Sequence, residues 1–407
     1  MGYGKGDGMK RTAILAAAML AFAATGRTEP QAGRYFAIEV VDEQTGRGVP
    51  LVELRTTNHL RYVTDSAGVA AFHEPGLMDR DVFFHVSSHG YEFPTDRFGN
   101  RGKKLRTTPG ATARLTVRRI NLAERLYRIT GQGIYRDTVL LGRTAPVKEP
   151  LLNGQVMGQD TVQATEYRGR IHWFWGDTNR PSYPLGHFAT SGAVSELPGK
   201  GGLEPGVGVN LTYFVDKNGF SRKMAPFKER GMIWIHALMK IEDPSGRQRL
   251  LGHFGRMKSL GERLEHGLVV FNDETDTFER LVTFPQDARL APGGQTTRAP
   301  VEGTTRYHFP PSGHPLIRVR ADWKHVQDPK KYQAFTCFAP GSAYDKDAPK
   351  LDRNAAGKLI WAWKTHTAAI DPSRQKALIA RRHIKPAEAW IRLRDVETGK
   401  PVTTHRS

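Results

Sequence analysis

Apolar and polar residues alternate along short stretches of the chain, and glycine, proline or aspartate separates one stretch from the next. In the first such stretch, Phe36, Ile38 and Val40 fall on one face. Similar apolar and aromatic stretches recur at 170–177, 232–240, 268–284 and 358–365. Because strands have a period of two residues, the pattern predicts an all-β protein.

The spacing of these strands divides the chain. Residues 34–118 have the strand number and length of a small β-sandwich. Residues 119–150 are a basic connector, and residues 151–407 hold further strands in units of about 40 to 60 residues, the period of propeller blades. We therefore expect a sandwich followed by a β-propeller-like domain. A pair of sandwiches or a β-helix is the alternative for the second part.

Turn motifs in the first part resemble those of a known family. The motifs are Val41-Asp42, Thr45-Gly46, Val49-Pro50 and Thr64-Asp65-Ser66-Ala67-Gly68. They look like the turns of the carboxypeptidase-regulatory-like, or transthyretin-like, domain. The resemblance implies the sandwich fold and no particular function. In exported bacterial proteins such domains usually accompany a catalytic or binding domain.

The N-terminal segment, residues 1–26, has the pattern of an export signal. Met9-Lys10-Arg11 precedes an apolar run from Ala13 to Ala24, which is too short to span a membrane. The expected location is secreted, periplasmic or on the cell envelope, with no membrane span.

The pattern of residues 395–402 predicts a hairpin turn close to the last residue. From this we expect the last blades to be incomplete.

Charge is distributed unevenly along the chain. The 407 residues carry 60 Lys and Arg against 41 Asp and Glu, a formal net charge of +19. Residues 97–148 hold 13 of these cations against two acids, Glu124 and Asp137. The stretch either packs its arginines between domains or contacts an anionic polymer or envelope surface. Because stacking aromatics are sparse there, nucleic acid is not an expected partner.

Residues 153–186 hold the densest set of candidate functional side chains. Asp160 ends a loop before a strand, and Asp177 follows a strand that carries Trp173 and Trp175. Hydrolysis of a glycosidic bond needs an acid, a base or nucleophile, and a platform for the sugar ring, which paired carboxylates and aromatic rings supply. The alternative is that Asp177 caps a turn and the tryptophans fill a core between sheets.

The same segment resembles the first blade of five-bladed propeller glycosidase-like proteins, including the exported DUF4185 type. The matching pieces are Gly158-Gln159-Asp160 and Trp175-Gly176-Asp177-Thr178. The resemblance implies that Asp160 is the base or nucleophile and that Asp177 is a supporting carboxylate. The candidate substrate-binding residues on this segment are Trp173, Trp175, Arg180 and Tyr183.

A later blade must supply the general acid that this resemblance implies. Glu265 is the candidate acid, and Glu262 and Asp273 are its rivals. The expected function is therefore hydrolysis of a polysaccharide or oligosaccharide by an exported, carbohydrate-binding protein. The alternatives are a glycan-binding or envelope module without activity, and a propeller scaffold for protein partners.

No cofactor is expected from the sequence. The histidines lack the spacing of a metal site, and the single cysteine excludes an internal disulfide. Cys337 lies in an apolar strand and is expected to be buried. A calcium ion in a propeller tunnel is the alternative, although no acidic loop has the spacing of calcium ligands.

Overall fold

The computed structural model describes residues 32–290, 292–301, 303–309 and 316–389, with two short strands at 393–394 and 401–402. Strands dominate, and the protein is all-β, as the alternation predicts. The expected export signal and the expected incomplete last blades fall largely on residues outside this description. Within the described ranges, no helix has the length and apolarity that a membrane crossing needs.

The first strands form two four-stranded sheets that share one hydrophobic core. These strands are β1 (Phe36–Asp42), β2 (Glu53–Thr56), β3 (Arg61–Val63), β4 (Val69–Phe72), β5 (Asp81–Ser87), β6 (Tyr91–Glu92), β7 (Gly102–Arg106) and β8 (Thr112–Arg119). One sheet has the order β4-β1-β8-β6 and the other β3-β2-β5-β7. Phe36, Ile38 and Val40 point into the core between them, as predicted.

The connector is fastened to this sandwich by a buried aspartate. Oδ2 of Asp65 accepts hydrogen bonds from the backbone nitrogen and the hydroxyl of Thr138, at 2.6 and 2.7 Å. Thr138 lies in a short helix, α1 (Arg136–Leu140). From the same helix, the Asp137 carboxylate accepts from the backbone nitrogen of Ala71 at 2.8 Å. The turn motif that resembles the transthyretin-like family therefore also holds the connector.

Many cations of the basic stretch are engaged within the fold. Arg125 donates to the Pro50 carbonyl at 2.7 Å and to the Ser88 hydroxyl at 3.1 Å. Arg128 donates to the Gly133 carbonyl at 2.8 Å. Ion pairs with acids of the sandwich are formed by Arg101, Lys104, Arg118, Arg119 and Arg143. These residues have hydrogen-bond or ion-pair partners within the fold, and contact with an anionic surface stays a prediction.

The rest of the chain forms further sheets whose named strands all pair antiparallel. The strands of the first two are β9 (Gly158–Gln159), β10 (Gln163–Tyr167), β11 (Arg170–Trp175), β12 (Thr178–Arg180), β13 (Tyr183–His187), β14 (Ser191–Glu196) and β15 (Thr212–Tyr213). One sheet has the order β10-β11-β14-β15, and the other has the order β13-β12-β9.

Two larger sheets follow in simple strand order. The first contains β16 (Met232–Glu242), β17 (Gln248–Ser259), β18 (Glu262–Asn272) and β19 (Thr277–Thr283). The second contains β20 (Thr297–Val301), β21 (Thr304–Phe309), β22 (Ile317–Arg320), β23 (Gln333–Thr336) and β24 (Ala362–Thr365). A last pair is formed by β25 (Leu393–Arg394) and β26 (Pro401–Val402).

Successive sheets share hydrophobic cores. Phe174 of β11 packs with Phe254 and Phe271 of the β16–β19 sheet. The β16–β19 sheet also packs, through Leu268, against Phe309 of the sheet that follows it. Antiparallel sheets that pack one on the next are typical of propeller blades. No strand pairing closes a ring among the described residues, so the propeller stays a prediction.

The second part contains two helices among its described residues, α2 (Trp323–Val326) and α3 (Pro372–Ala380). It also has 3-10 turns at Pro329–Lys331 and Pro386–Glu388, and the first part has 3-10 turns at Ala32–Arg34 and Pro75–Leu77. The Asp371 side chain accepts from the Arg374 nitrogen at 2.8 Å and begins α3. Cys337 is buried beside Leu378 of this helix, as predicted, and burial raises the pKa of its thiol to about 11.

Asp65→Asn tests how the connector is held. Both carboxylate oxygens of Asp65 accept hydrogen bonds from backbone or hydroxyl donors. In either orientation of the asparagine amide, its NH2 group therefore faces one of these donors and the hydrogen bond is lost. We expect the free energy of unfolding to fall by about 1–3 kcal/mol in urea titrations. Asp96→Asn, on an exposed turn with similar backbone bonds, is the control and should change stability little. Equal losses in the two variants would contradict this account.

Candidate functional site

Asp160 and Asp177 are brought together where β11 ends. The backbone nitrogen of Asp177 donates to Oδ1 of Asp160 at 3.0 Å, and the Gly176 nitrogen donates to the Asp160 carbonyl at 2.9 Å. A carboxylate lies within one side chain of its own backbone nitrogen, so the two carboxylates are at most about 8 Å apart. Paired carboxylates of glycosidases lie about 5 to 9.5 Å apart.

A glycine makes this approach possible. A Cβ atom at Gly176 would lie 2.3 Å from Oδ1 of Asp160, far inside contact distance. Thr161, next to Asp160, has a φ of +51°, in the left-handed region that residues with a Cβ rarely adopt. Both features belong to the chain segments that carry the carboxylates, and both shape the turn around them.

A polar network lies behind the pair. Nε2 of Gln159 donates to the Ser191 hydroxyl at 2.6 Å and to the Thr178 hydroxyl at 3.2 Å. The Tyr213 hydroxyl donates to Oε1 of Gln159 at 2.8 Å. Gln159 and Thr178 are the direct neighbours of the two aspartates, so the network orients both segments. Gln159 belongs to the matching motif, but its partners could not be read from the sequence.

The two aspartates have different surroundings. Asp160 is exposed, whereas Asp177 is half-buried and its Oδ1 accepts from the indole nitrogen of Trp234 at 2.9 Å. Burial raises the pKa of Asp177 above its ordinary value, and the charge of Asp160 adds to this. The Trp234 hydrogen bond and nearby His187 act in the opposite direction. Two neighbouring carboxyl groups whose surroundings differ in this way can divide the roles of acid and base, with the group of raised pKa as the acid.

Glu265, the predicted general acid, is held between cations. It lies on β18 and accepts from Nε of Arg280 at 2.6 Å and from Nε of Arg256 at 2.9 Å. Burial alone would raise the pKa of Glu265, but the hydrogen bonds from Arg280, Arg256 and Thr283 outweigh it and lower the pKa. An acid must carry a proton, so these contacts favour a structural role, and the acid role stays a prediction.

The rivals of Glu265 are also paired with cations. Glu262 lies 3.1 Å from the Lys258 ammonium group at the surface. Asp273 lies 2.8 Å from Arg247 and 3.1 Å from Arg168. None of these ion pairs involves Asp160 or Asp177. Asp177 is therefore the carboxyl near Asp160 whose surroundings, in the described residues, favour the protonated form.

The predicted tryptophans divide between core and surface. Trp175 is 3% exposed and packs on Tyr213, in the position that the core alternative describes. Trp173 is half-buried and stacks on Trp175, with 6.3 Å between ring centroids and 12° between planes. The indole nitrogen of Trp173 donates to the Ser195 hydroxyl at 2.9 Å. Only Trp173 of the two therefore offers a ring edge and face to a ligand.

Arg180 and Tyr183 pair across the hairpin of β12 and β13. Tyr183 is 60% exposed, and the Arg180 guanidinium lies 5.9 Å from the Phe220 ring. The hairpin pairs through β12 with β9, directly before Asp160. Both side chains are accessible on the sheet that carries one carboxylate, and their part in binding stays a prediction.

A large cleft lies elsewhere, between the connector and the β10-β11-β14-β15 sheet. Its volume is about 510 Å³, and Trp173 and Tyr213 form part of its wall together with Tyr127 of the connector. Asp160, Asp177 and Glu265 do not line it. In the sequence the connector stands out only by its positive charge. The charge does not predict a cleft, so sequence reasoning missed this site.

A second cavity of about 450 Å³ lies beside Trp234, the partner of Asp177. His236, His253 and His266 line it, and burial lowers the pKa of each, that of His236 to about 4. Where the chain is described, no group of three or more His, Cys, Asp or Glu side chains is placed to hold a metal ion. The calcium alternative stays untested.

Glu265→Gln separates a structural role from a catalytic one. Because the folded pKa lies below the unfolded one, the charge of Glu265 stabilises the fold above its ordinary pKa, and that stability is lost as pH falls through the folded pKa. We expect Glu265→Gln to lose about 1–3 kcal/mol of unfolding free energy at pH 7. The loss should shrink once the pH is below about 4.

Urea unfolding at the two pH values measures this, with Glu262→Gln on the same strand as the control. The surface pair of Glu262 with Lys258 contributes little. If Glu265→Gln kept full stability at pH 7 while losing catalytic activity, the structural role would be wrong.

Neither a protein-family profile nor a curated protein matches the chain. The resemblances to the transthyretin-like domain and to the propeller glycosidases therefore rest on the turn and loop motifs quoted above. The chemistry of the site is inferred from its own geometry.

Proposed function

We propose that the protein hydrolyses a glycosidic bond, with Asp160 and Asp177 as the catalytic carboxylates. The observation that carries the proposal is the contact between an exposed aspartate and a half-buried one whose pKa is raised. Asp177 acts as the general acid, and Asp160 acts as the base or nucleophile. In this assignment the general acid lies beside Asp160 at the end of β11. The family resemblance, by contrast, implies a general acid from a later blade.

The reaction divides between the two side chains. Asp177 gives its proton to the glycosidic oxygen as the bond from that oxygen to the anomeric carbon breaks. Asp160 either takes a proton from the water that attacks the anomeric carbon, or attacks that carbon itself and forms a glycosyl ester. In the second case water, which gives its proton to Asp177, then displaces Asp160 from the anomeric carbon. The Trp234 indole hydrogen bond supports the carboxylate that remains on Asp177 after the proton has left.

The wider proposal is an exported carbohydrate-active protein, secreted or held at the cell envelope. The export-signal pattern in residues 1–26 supports the location. The two-sheet sandwich supports a transthyretin-like first domain, and the stacking of successive antiparallel sheets supports a propeller-like second part. The accessible cations of the connector are the groups that would contact an anionic envelope surface.

A glycan-binding module without activity is the second candidate. One observation favours it: the cleft beside the connector contains the accessible Trp173 but neither of the two aspartates. In that case the hydrogen bond between Asp160 and Asp177 only shapes a turn. The two candidates differ in whether neutralising either aspartate changes turnover.

Asp160→Asn and Asp177→Asn test the hydrolytic proposal on a panel of neutral and acidic glycans. The amide that Asp160→Asn introduces keeps an oxygen for the Asp177 nitrogen, so the turn survives. We expect each variant to lose kcat/KM by about 100-fold or more, the usual size of an acid–base contribution. Asp216→Asn is the control, since Asp216 also accepts backbone bonds in an exposed turn.

Equal turnover in the wild type and both variants would overturn the assignment. Glycan binding without turnover in any of the proteins would establish the binding module instead.

Trp234→Phe tests the role of Asp177 as the acid. The substitution removes a hydrogen bond that lowers the pKa of Asp177, so this pKa rises further. Since Asp177 acts protonated, the alkaline limb of the kcat/KM profile should move to higher pH. Trp361→Phe, which loses an indole bond to the Glu388 carbonyl, is the control. A limb that moves to lower pH would exclude Asp177 as the acid.

A further inference from the structure

We propose that the cleft between the connector and the β10-β11-β14-β15 sheet binds a neutral oligosaccharide, at a site separate from Asp160 and Asp177. The carbohydrate class rests on the proposed function, whereas the position and the charge preference rest on the cleft itself. Its volume of about 510 Å³ lies in the range of ligand pockets, about 300–1,000 Å³.

Aromatic rings from two parts of the chain line the cleft. Trp173 and Tyr213 come from the sheet, and Tyr127 comes from the connector. Trp173 is backed by the parallel ring of Trp175, which keeps its plane in place. Flat rings held rigidly bury the apolar face of a sugar with little loss of side-chain freedom.

Two side-chain amides add hydrogen-bonding groups. Nδ2 of Asn153 donates to the Leu211 carbonyl at 2.8 Å, and Oδ1 of Asn210 accepts from the backbone nitrogen of Lys148 at 2.8 Å. Each amide thereby uses one atom for the fold. Its other atom has no hydrogen-bond partner among the described residues. This leaves an acceptor on Asn153 and a donor on Asn210, and a hydroxyl group can satisfy either.

The charges around the cleft balance. Lys148 and Arg170 are matched by Glu149 and Glu196. Arg170 and Glu196 also form an ion pair at 2.9 Å. A strongly anionic glycan would therefore meet as many negative as positive groups. The balance favours a neutral ligand, although the connector as a whole is basic.

A glycine-rich loop, residues 202–210, closes one side of the cleft and is held in position by the connector and the sandwich. The Tyr127 hydroxyl donates to the Pro205 carbonyl at 2.7 Å, and the Tyr135 hydroxyl donates to the Val207 carbonyl at 3.3 Å. Between them, the Arg47 guanidinium of the sandwich donates to the Gly206 carbonyl. The cleft is thus formed before a ligand binds, which lowers the entropic cost of binding.

Affinity electrophoresis of the full chain tests the proposal, with gels that contain a neutral glucan, a uronic-acid polysaccharide or no glycan. The variants are Trp173→Ala and Asn210→Asp. Asn210→Asp keeps the oxygen that accepts from the backbone nitrogen of Lys148, replaces the free donor with an acceptor and adds one negative charge, which the control variant also adds. Asn354→Asp is the matched control, since Asn354 also accepts backbone bonds but lies outside the cleft.

We expect the neutral glucan to retard the wild type and Asn354→Asp equally, and both cleft variants to lose about tenfold in affinity or more. Unchanged retardation of Asn210→Asp and Trp173→Ala, no retardation of any protein, or retardation by the uronic-acid polysaccharide alone would each overturn the proposal. Asp160→Asn should bind like the wild type. If it also turns over glycan like the wild type, the hydrolytic proposal fails while the cleft stands.

Discussion

The hydrogen bond from the Asp177 nitrogen to the Asp160 carboxylate joins the end of β11 to the loop before β10. It places two carboxylates on one edge and requires a residue without a side chain between them, which Gly176 provides. The Gln159 network supports both segments from behind. Burial then distinguishes the two acids, because only Asp177 is partly withdrawn from water. The proposed chemistry depends on this difference in environment between neighbouring carboxylates.

A second constraint concerns the connector, whose charge is largely used inside the fold. Asp65 anchors α1, and Arg125 bonds to the carbonyls of a neighbouring turn. The connector is thereby held against the sandwich, while Ile134 and Val147 share a small core with Leu203 of the second part. The cleft is thus formed between the connector and the β10-β11-β14-β15 sheet. The sandwich contributes to the proposed binding site by holding the connector in place.

Local pattern predicted the strands well and their partners poorly. A strand such as β16 shows its period of two wherever it pairs, so its existence could be read from the sequence. The pattern predicts a strand over 358–365, whereas the strand β24 covers only Ala362–Thr365. The contact of Trp234 with Asp177 joins residues 57 positions apart, and the arginines around Glu265 come from two neighbouring strands. Such contacts depend on sheet packing and register, which one sequence does not specify.

The central claim is that half-burial and the neighbouring Asp160 carboxylate raise the pKa of Asp177. Carboxyl ¹³C NMR of the folded protein, with Asp177 assigned by the signal lost in Asp177→Asn, measures this directly. The account predicts an Asp177 pKa above the ordinary value of about 3.9. It also predicts that this pKa falls in Asp160→Asn, because a neighbouring negative charge is removed. An Asp177 pKa at or below the ordinary value, unchanged by Asp160→Asn, would contradict it.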